Sequence, residues 1–363
     1  MSALPGADPW EYALHALTVE YPPLDALWEA ETGPIRWLQG LGDWFAPPLG
    51  VLTHLGSQSV IIVVLAVVFW CFDSRLGARL FVVVAVSGAL NYLCKSLLYG
   101  ARPSWFDAHI KAHAAHDSFG IPSGHAQGAV VTWGYLGLRS GRRVMLWAAV
   151  IVIVLVSFSR IYLGAHFISD VVAGLLLGAA VLWAALRWED RVARWWSGLT
   201  TVRWVGHALA VTLLPCLVAA LWQALVLGSW EVPAEWIGAV PTDPAGHTLT
   251  GLYTVSGALL GGIVGFTLLA KRGWYSAQGT VVSKIARFVL GISVIVLIQA
   301  VVDVFFGVPN GLTASAVSFV AYAAITFWAS YAAPELFVRS GLARRSDPSS
   351  APPTDAPEGS GRG

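Results

Sequence analysis

Charged side chains are scarce in this chain: Asp, Glu, Lys and Arg together make up 12% of its 363 residues. Soluble globular domains carry about twice that share, so a free-standing soluble fold is excluded. Cysteine is nearly absent as well. Cys71, Cys94 and Cys216 stand in apolar segments, without the spacing of a metal-ligand set or the look of a disulfide framework, and read as small buried hydrophobes. The N-terminal stretch lacks a basic leader and a compact apolar core ending in a small-residue cleavage site, so targeting is expected to rest with the apolar segments themselves. No internal repeat is visible. The net charge of +1 offers no polyionic surface, and no nucleic-acid partner is expected.

What the chain has instead is hydrophobicity, 56% of all residues, together with 18 Trp. Apolar runs of about 18 or more residues mark membrane-spanning helices. Nine such spans are expected, at about 52–72, 77–98, 124–138, 144–162, 166–187, 205–228, 249–270, 285–306 and 313–333. Pro34 through Phe45 reads as a short interfacial helix with aromatic anchors. Residues 340–363, rich in Ser, Pro, Gly, Arg and Asp, read as a disordered tail.

Basic residues orient the chain. With the N-terminus outside and nine alternating helices, most of the 22 Lys and Arg fall on the inner side; Arg36, Lys95, Arg102, Lys111 and Arg160 stay outside. That asymmetry places the C-terminus in the cytoplasm. The expected location is a bacterial plasma (inner) membrane.

Three of those outer exceptions belong to three polar clusters at the rims of the spans. Lys95 precedes Arg102-Pro103 by six intervening residues; Pro122-Ser123-Gly124-His125 follows; Ser159-Arg160 leads, after five residues, to His166 and, after three more, to Asp170. A Lys or Arg in the middle of a bilayer helix costs roughly 2.5–3.5 kcal/mol, so cations gathered at adjacent helix ends point to use. In the expected topology every member faces one side of the membrane. Pro122-Ser123-Gly124 opens a helix, where free N–H groups and the positive dipole end favour an anion. Lys95 supplies a point charge; Arg102 and Arg160 supply planar forks that match phosphate oxygens. His166 and Asp170, four apart on one helical face, form a pair in which the carboxylate fixes the ring tautomer and leaves the other nitrogen as nucleophile. His125 is placed to protonate a leaving oxygen and then to activate water. Taken one at a time, these residues equally suit headgroup snorkelling or helix capping.

On these residues the sequence resembles the type 2 phosphatidic acid phosphatase superfamily of membrane lipid phosphatases. The resemblance implies an all-α integral membrane protein of about nine transmembrane helices around a phosphatidic acid phosphatase/haloperoxidase-like helical core. It implies His166 as nucleophile, His125 as general acid, Asp170 as the orienting carboxylate, and Lys95, Arg102, Ser123, Gly124 and Arg160 as the phosphate-binding set, with no metal and no other cofactor. The expected division is an extracytoplasmic or interfacial segment over 1–50, a catalytic core over 51–190, additional transmembrane helices over 204–335, and a disordered cytoplasmic tail over 336–363.

Simple bacterial members have about six spans. The surplus here, and the stretches Ser159 to Phe167 and Val171 to Gly174, also look like the glucose-6-phosphatase branch, and sphingosine-phosphate phosphatases likewise carry extra helices. The expected substrate is therefore a lipid phosphate or prenyl diphosphate, with a sugar phosphate as the alternative. A transporter is a rival of another class, but it leaves the His–Asp pair unused. Vanadium haloperoxidases share the clusters and are soluble. Asp303, four residues after Gln299 near the outer end of the eighth span, is a further cleft residue by expectation. His109, His113 and His116 read as part of a lid over the phosphate, less readily as a zinc site. Trp230 and Trp236 read as an interfacial belt, or as a second wall of the cleft.

Overall fold

The computed structural model describes residues 22–113, 116–226, 230–234, 236, 240–306 and 311–346. Helices dominate, because every backbone N–H and C=O inside a bilayer needs a partner within the chain. Helix α1 is Pro22–Gln39. Helices α2, Ala46–Thr53, and α3, Gln58–Val67, are joined by the short turn His54–Gly56. A π turn, Val68–Phe72, extends α3. Helix α4 is Ser74–Leu98. Helix α5 runs from Gly124–Ala129 through a π turn, Val130–Gly134, to Tyr135–Arg139. There follow α6, Arg143–Tyr162, α7, Ile168–Ser197, α8, Thr201–Leu225, α9, Pro244–Lys271, α10, Val281–Phe306, and α11, Gly311–Phe327. A π turn and a short helix carry α11 on to Arg339.

Seven helices among the described residues are long and apolar enough to cross a membrane, and up to eight if the pair Asp43–Gly56 and Gln58–Phe72, bent by 48°, is one span. By length and composition alone the expected nine are not all reached. The difference is α5, shorter than 18 residues, which at 1.5 Å per residue falls short of a hydrocarbon core about 30 Å thick. Its first turn is spent on the Ser123-Gly124-His125 cluster rather than on lipid contact.

Helix α4 is central and packs against α5, α7, α8 and α9. At one end of the bundle Glu189 of α7 gathers Arg79 of α4, Tyr135 and Arg139 of α5, with Tyr135 Oη donating at 2.7 Å. The other end carries the Lys95, Ser123, Arg160 and His166 clusters. Helix α9 presses on α11 through Gly257 and Gly261, where a Cβ would run into the backbone of Phe319 and Ala323; small residues let membrane helices approach this closely.

Two expectations are corrected. The interfacial helix placed at Pro34–Phe45 is divided: Pro34–Gln39 is the end of the longer α1, whose Trp28 and Ile35 are buried with Phe167 and Ala101, and Asp43–Phe45 is a separate single turn. Apolar contact holds the buried face, while Trp37 and Trp44 stay exposed. The tail expected from residue 336 begins as ordered structure. Ala333–Arg339 is helical, and Arg344–Arg345 pairs antiparallel with Tyr275–Ser276. Arg345 also donates to both carboxylate oxygens of Glu335 at 2.6 and 2.8 Å. Residues 1–21 and 347–363, the rest of the N-terminal segment and of the tail, lie outside the described residues.

Candidate active site

The three clusters meet at one end of the bundle. Lys95, Arg102, Gly124, His125, Arg160 and His166 line a single cavity of about 730 Å³. Ser123 is fully buried directly behind it, and Asp170 is fully buried beside His166.

Lys95 sits in the last turn of α4, 4% exposed, and donates to the carbonyls of Phe119 and Gly120. Arg102 is also buried. Its guanidinium donates to the carbonyls of Ser118 at 2.6 Å, Ala165 at 2.8 Å and Phe119 at 3.1 Å. These carbonyls fix both cations in place while leaving them uncompensated by a carboxylate contact. Arg160 ends α6 and donates to Thr53 Oγ1 at 3.0 Å; its other terminal nitrogen lies 2.6 Å from His116 Nε2. The Nε of Arg160, Oγ of Ser123 and Oδ1 of Asp170 are buried and lack a hydrogen-bond partner among the described residues. Unsatisfied buried polar atoms cost about 1–3 kcal/mol each, and the two donors among them, on Arg160 and Ser123, suit a site completed by an anion.

His166 is placed differently from expectation. Helix α7 begins at Ile168 with Phe167 as its cap, so His166 stands ahead of the helix and not on its face. Asp170 reaches back. Its Oδ2 accepts the Phe167 N–H at 3.1 Å and lies 3.2 Å from His166 Nδ1. The four-residue spacing thus works as a helix cap: the carboxylate satisfies an orphan N–H of the first turn and holds the ring at the same time. With Nδ1–H donating to Asp170, Nε2 keeps its lone pair and faces the cavity, 3.4 Å from Arg102 Nη1. Burial first, and then the Arg102, Arg160 and Lys95 charges, hold the His166 imidazolium well below the usual histidine range. The neutral, nucleophilic ring is the favoured form.

Two polar residues inside the apolar helices position the second cluster. Asn91, one turn before Lys95 on α4, donates to the Pro122 carbonyl at 3.1 Å and to Gln127 Oε1 at 2.7 Å. Gln127 donates to the Ser87 carbonyl and hydroxyl, both at 2.8 Å. The sequence reading missed both. The available signal was Asn91 itself, an amide within a mostly apolar span and four residues before a site lysine.

The outer histidines diverge. His109 Nδ1 pairs with Asp107 at 3.0 Å, His113 stacks on Tyr162, and His116 turns into the site against Arg160. Residues 109–113 are not helical, the three histidines meet different partners, and no metal-holding group of three or more His, Cys, Asp or Glu occurs among the described residues. The His116 ring lies 6.3 Å from that of His125 and 6.4 Å from that of His166, which makes it a site residue. Burial and the Arg102 and Arg160 charges hold its pKa down, to about 2. Trp230 packs edge-on against Phe119, and Trp236 against Trp105; they form a wall behind the carbonyls that hold Lys95 and Arg102. Asp303 accepts from Gln299 at 2.9 Å and lines the same cavity.

The stretch that carries the three clusters is also similar to known proteins. Residues 76–194 match the PAP2 superfamily, and residues 253–345 match the PAP2 superfamily phosphatase, transmembrane extension. The chain is 26% identical over 165 residues to phosphatidylglycerophosphatase B of Bacillus subtilis, covering 42% of this chain and 78% of that protein. It is 30% identical over 172 residues to the bovine glucose-6-phosphatase catalytic subunit 1, covering 39% and 47% of the two chains. It is 32% identical over 152 residues to the lipid A 1-phosphatase of Rhizobium johnstonii, covering 40% and 54%. The chain thus spans about half the length of the latter two relatives. It carries the features of a PAP2 superfamily phosphatase in an integral membrane protein.

Proposed function

We propose that this membrane phosphatase hydrolyses a lipid phosphate or prenyl diphosphate through a phosphohistidine, without a metal. The observation that carries the reading is the His166 ring, held at Nδ1 by Asp170 with Nε2 facing a cavity lined by Lys95, Arg102 and Arg160. The phosphate fills the space between the three cations, accepting from them and from Ser123 and the Gly124 amide. His166 Nε2 attacks phosphorus, and the bond from phosphorus to the leaving oxygen breaks as His125 gives that oxygen a proton. Water then attacks the phosphohistidine, His125 takes a proton from it, and the P–N bond breaks to release inorganic phosphate. Three fixed charges supply the neutralisation that metal ions give elsewhere.

The lipid reading is supported by relatives named for lipid phosphates and by a site at the end of apolar helices, where a headgroup arrives with its chain still in the bilayer. The alternative, a sugar phosphate, is supported by the glucose-6-phosphatase relatives; the mouse protein aligns over 248 residues at 27% identity. Charge asymmetry supports a site facing away from the cytoplasm of a bacterial inner membrane, with the C-terminus inside. The deciding experiment is phosphate release by purified protein from prenyl diphosphates, phosphatidate, phosphatidylglycerophosphate, sphingoid phosphates and hexose phosphates, each with and without EDTA. Turnover of a lipid substrate that survives EDTA is expected. Turnover that EDTA abolishes and only a divalent ion restores overturns the mechanism.

A further inference from the structure

The cavity does not end below the phosphate. From Lys95 and His166 it continues along α4 past Ala85 and Gly77 to Phe69 and Trp70, at the opposite end of the bundle. Lys95 to Gly77 is eighteen residues of one helix, about 27 Å at 1.5 Å per residue. One bilayer leaflet has about 15 Å of hydrocarbon, half of the full 30 Å. The space therefore reaches well past the membrane midplane.

Its walls come from both parts of the chain. Ile61 and Leu65 of α3 stand on one side; Ala258 of α9, Ile295 of α10 and Ile325 of α11 stand on the other. Three hydroxyls along the wall already have acceptors on their own helices. Thr254 donates to the Thr250 carbonyl and Thr326 to the Tyr322 carbonyl, each at 2.8 Å, and Ser330 to the Thr326 carbonyl at 2.6 Å. Their protons are spent, the rest of the wall at that depth is mostly aliphatic, and a sugar would find few partners there. The cavity also has a side opening. Helices α3 and α10 meet at the π turn, where Cys71 Sγ lies 3.4 Å from the Lys284 carbonyl. Higher up, Ile62 and Val296 line the cavity and are nonetheless 41% and 61% exposed.

We infer that this channel holds a hydrocarbon chain of the substrate, extended past the bilayer midplane, and that the substrate is a lipid phosphate whose chain is longer than one leaflet. The chain enters sideways between α3 and α10, and its phosphate reaches the three cations at the channel head. The extension helices α9, α10 and α11 are then a chain-measuring wall. This rests on the phosphatase reading above and sharpens its substrate.

The test uses linear prenyl phosphates of increasing length with one common headgroup, in detergent micelles, and a plug halfway down. Ala258 sits level with Ala85, since Gly88 faces Val255 and Gly262 faces Phe81; that is about 15 Å below Lys95 by helical rise. In the unaltered protein kcat/KM is expected to climb with chain length beyond the leaflet-length members. In Ala258→Phe it is expected to climb only to leaflet length, leaving the longest substrates roughly tenfold or more worse and the shortest within about twofold, because each lost methylene contact weakens binding. The short-chain rate is the internal control for folding. If Ala258→Phe loses all activity, Val296→Trp, at an exposed position on the side opening, replaces it, and the same long-chain-selective loss is required. No chain-length dependence in the unaltered protein, or an equal loss on short and long substrates in Val296→Trp, overturns the channel while phosphate release stands. Absence of phosphate release from every substrate overturns the phosphatase reading itself.

Discussion

The backbone N–H of Ser123 donates to the carbonyl of Asp170 at 2.9 Å. One hydrogen bond thus ties the phosphate-binding turn to the residue that holds the nucleophile, across 47 residues of chain. The approach depends on Gly174, one turn along α7, where an added Cβ would come within 2.5 Å of the Ser123 carbonyl. Gly174→Ala is therefore expected to push the turn off α7 and lower kcat/KM about tenfold or more, since displacements of this size misalign reacting groups. Circular dichroism should stay unchanged. Activity equal to the parent's would show that the turn tolerates the shift.

The two histidines are separable by leaving group. His166→Ala is expected to abolish phosphoenzyme formation and turnover on every substrate. His125→Ala should lose roughly 10²- to 10⁴-fold on an alkyl phosphate, the usual worth of acid–base assistance. It should lose much less on p-nitrophenyl phosphate, whose leaving group departs without a proton. Acid-labile ³²P labelling distinguishes the variants. Labelling of His166→Ala, or an equal defect of His125→Ala on both substrates, would refute the assignment.

Burial and the surrounding cations lower the His166 pKa, and the sign follows directly. A lowered pKa means the ring takes up its proton only at more acidic pH, so the nucleophile stays neutral through the ordinary histidine range. The acid limb of kcat/KM, which reports the free enzyme, is expected below about 6.5 once the substrate's own ionisation is divided out. Arg102→Ala, which removes a nearby charge, should move that limb upward as well as slow the reaction. A limb at or above the ordinary histidine value would contradict the packing around the ring.

Orientation can be read by thiol labelling after Cys71, Cys94 and Cys216 are replaced by alanine. Cysteines introduced as His113→Cys and Asp243→Cys, at the site end, are expected to react with an impermeant reagent on intact cells. Arg142→Cys, at the opposite end of α6, should react only after lysis. The reverse pattern would invert the topology.

Asn91 offers a test of positioning without contact to phosphate. Asn91→Leu leaves the Pro122 carbonyl and Gln127 Oε1 without their Asn91 donor, at about 1–3 kcal/mol of lost stability, and should lower kcat more than it raises KM. Restored kcat in Asn91→Gln would mark a hydrogen-bonding role. An unchanged kcat in Asn91→Leu would show that Gln127 and the α5 backbone hold the turn alone.

Much of this molecule is legible along the chain. Apolar runs declare themselves because a bilayer sets their length, and Lys95, Arg102, Arg160 and His166 stand out because charge at such places is costly. Chain order and spacing alone bring the three clusters to one membrane face. Other features depend on residues distant in sequence meeting in space. Asp170 holds His166 as a helix cap, a relation that the four-residue spacing shares with a helical face and that only the start of α7 at Ile168 separates. His116 enters the site because the loop after Arg102 folds inward to Arg160, and a non-helical loop has no periodicity to read. The ordered pairing of Arg345 with Glu335 was hidden by a composition typical of disorder. The channel beside α4 is the extreme case. Its lining is ordinary apolar sequence, indistinguishable from lipid-facing residues, because void space between helices is set by how they cross and not by what any one of them contains.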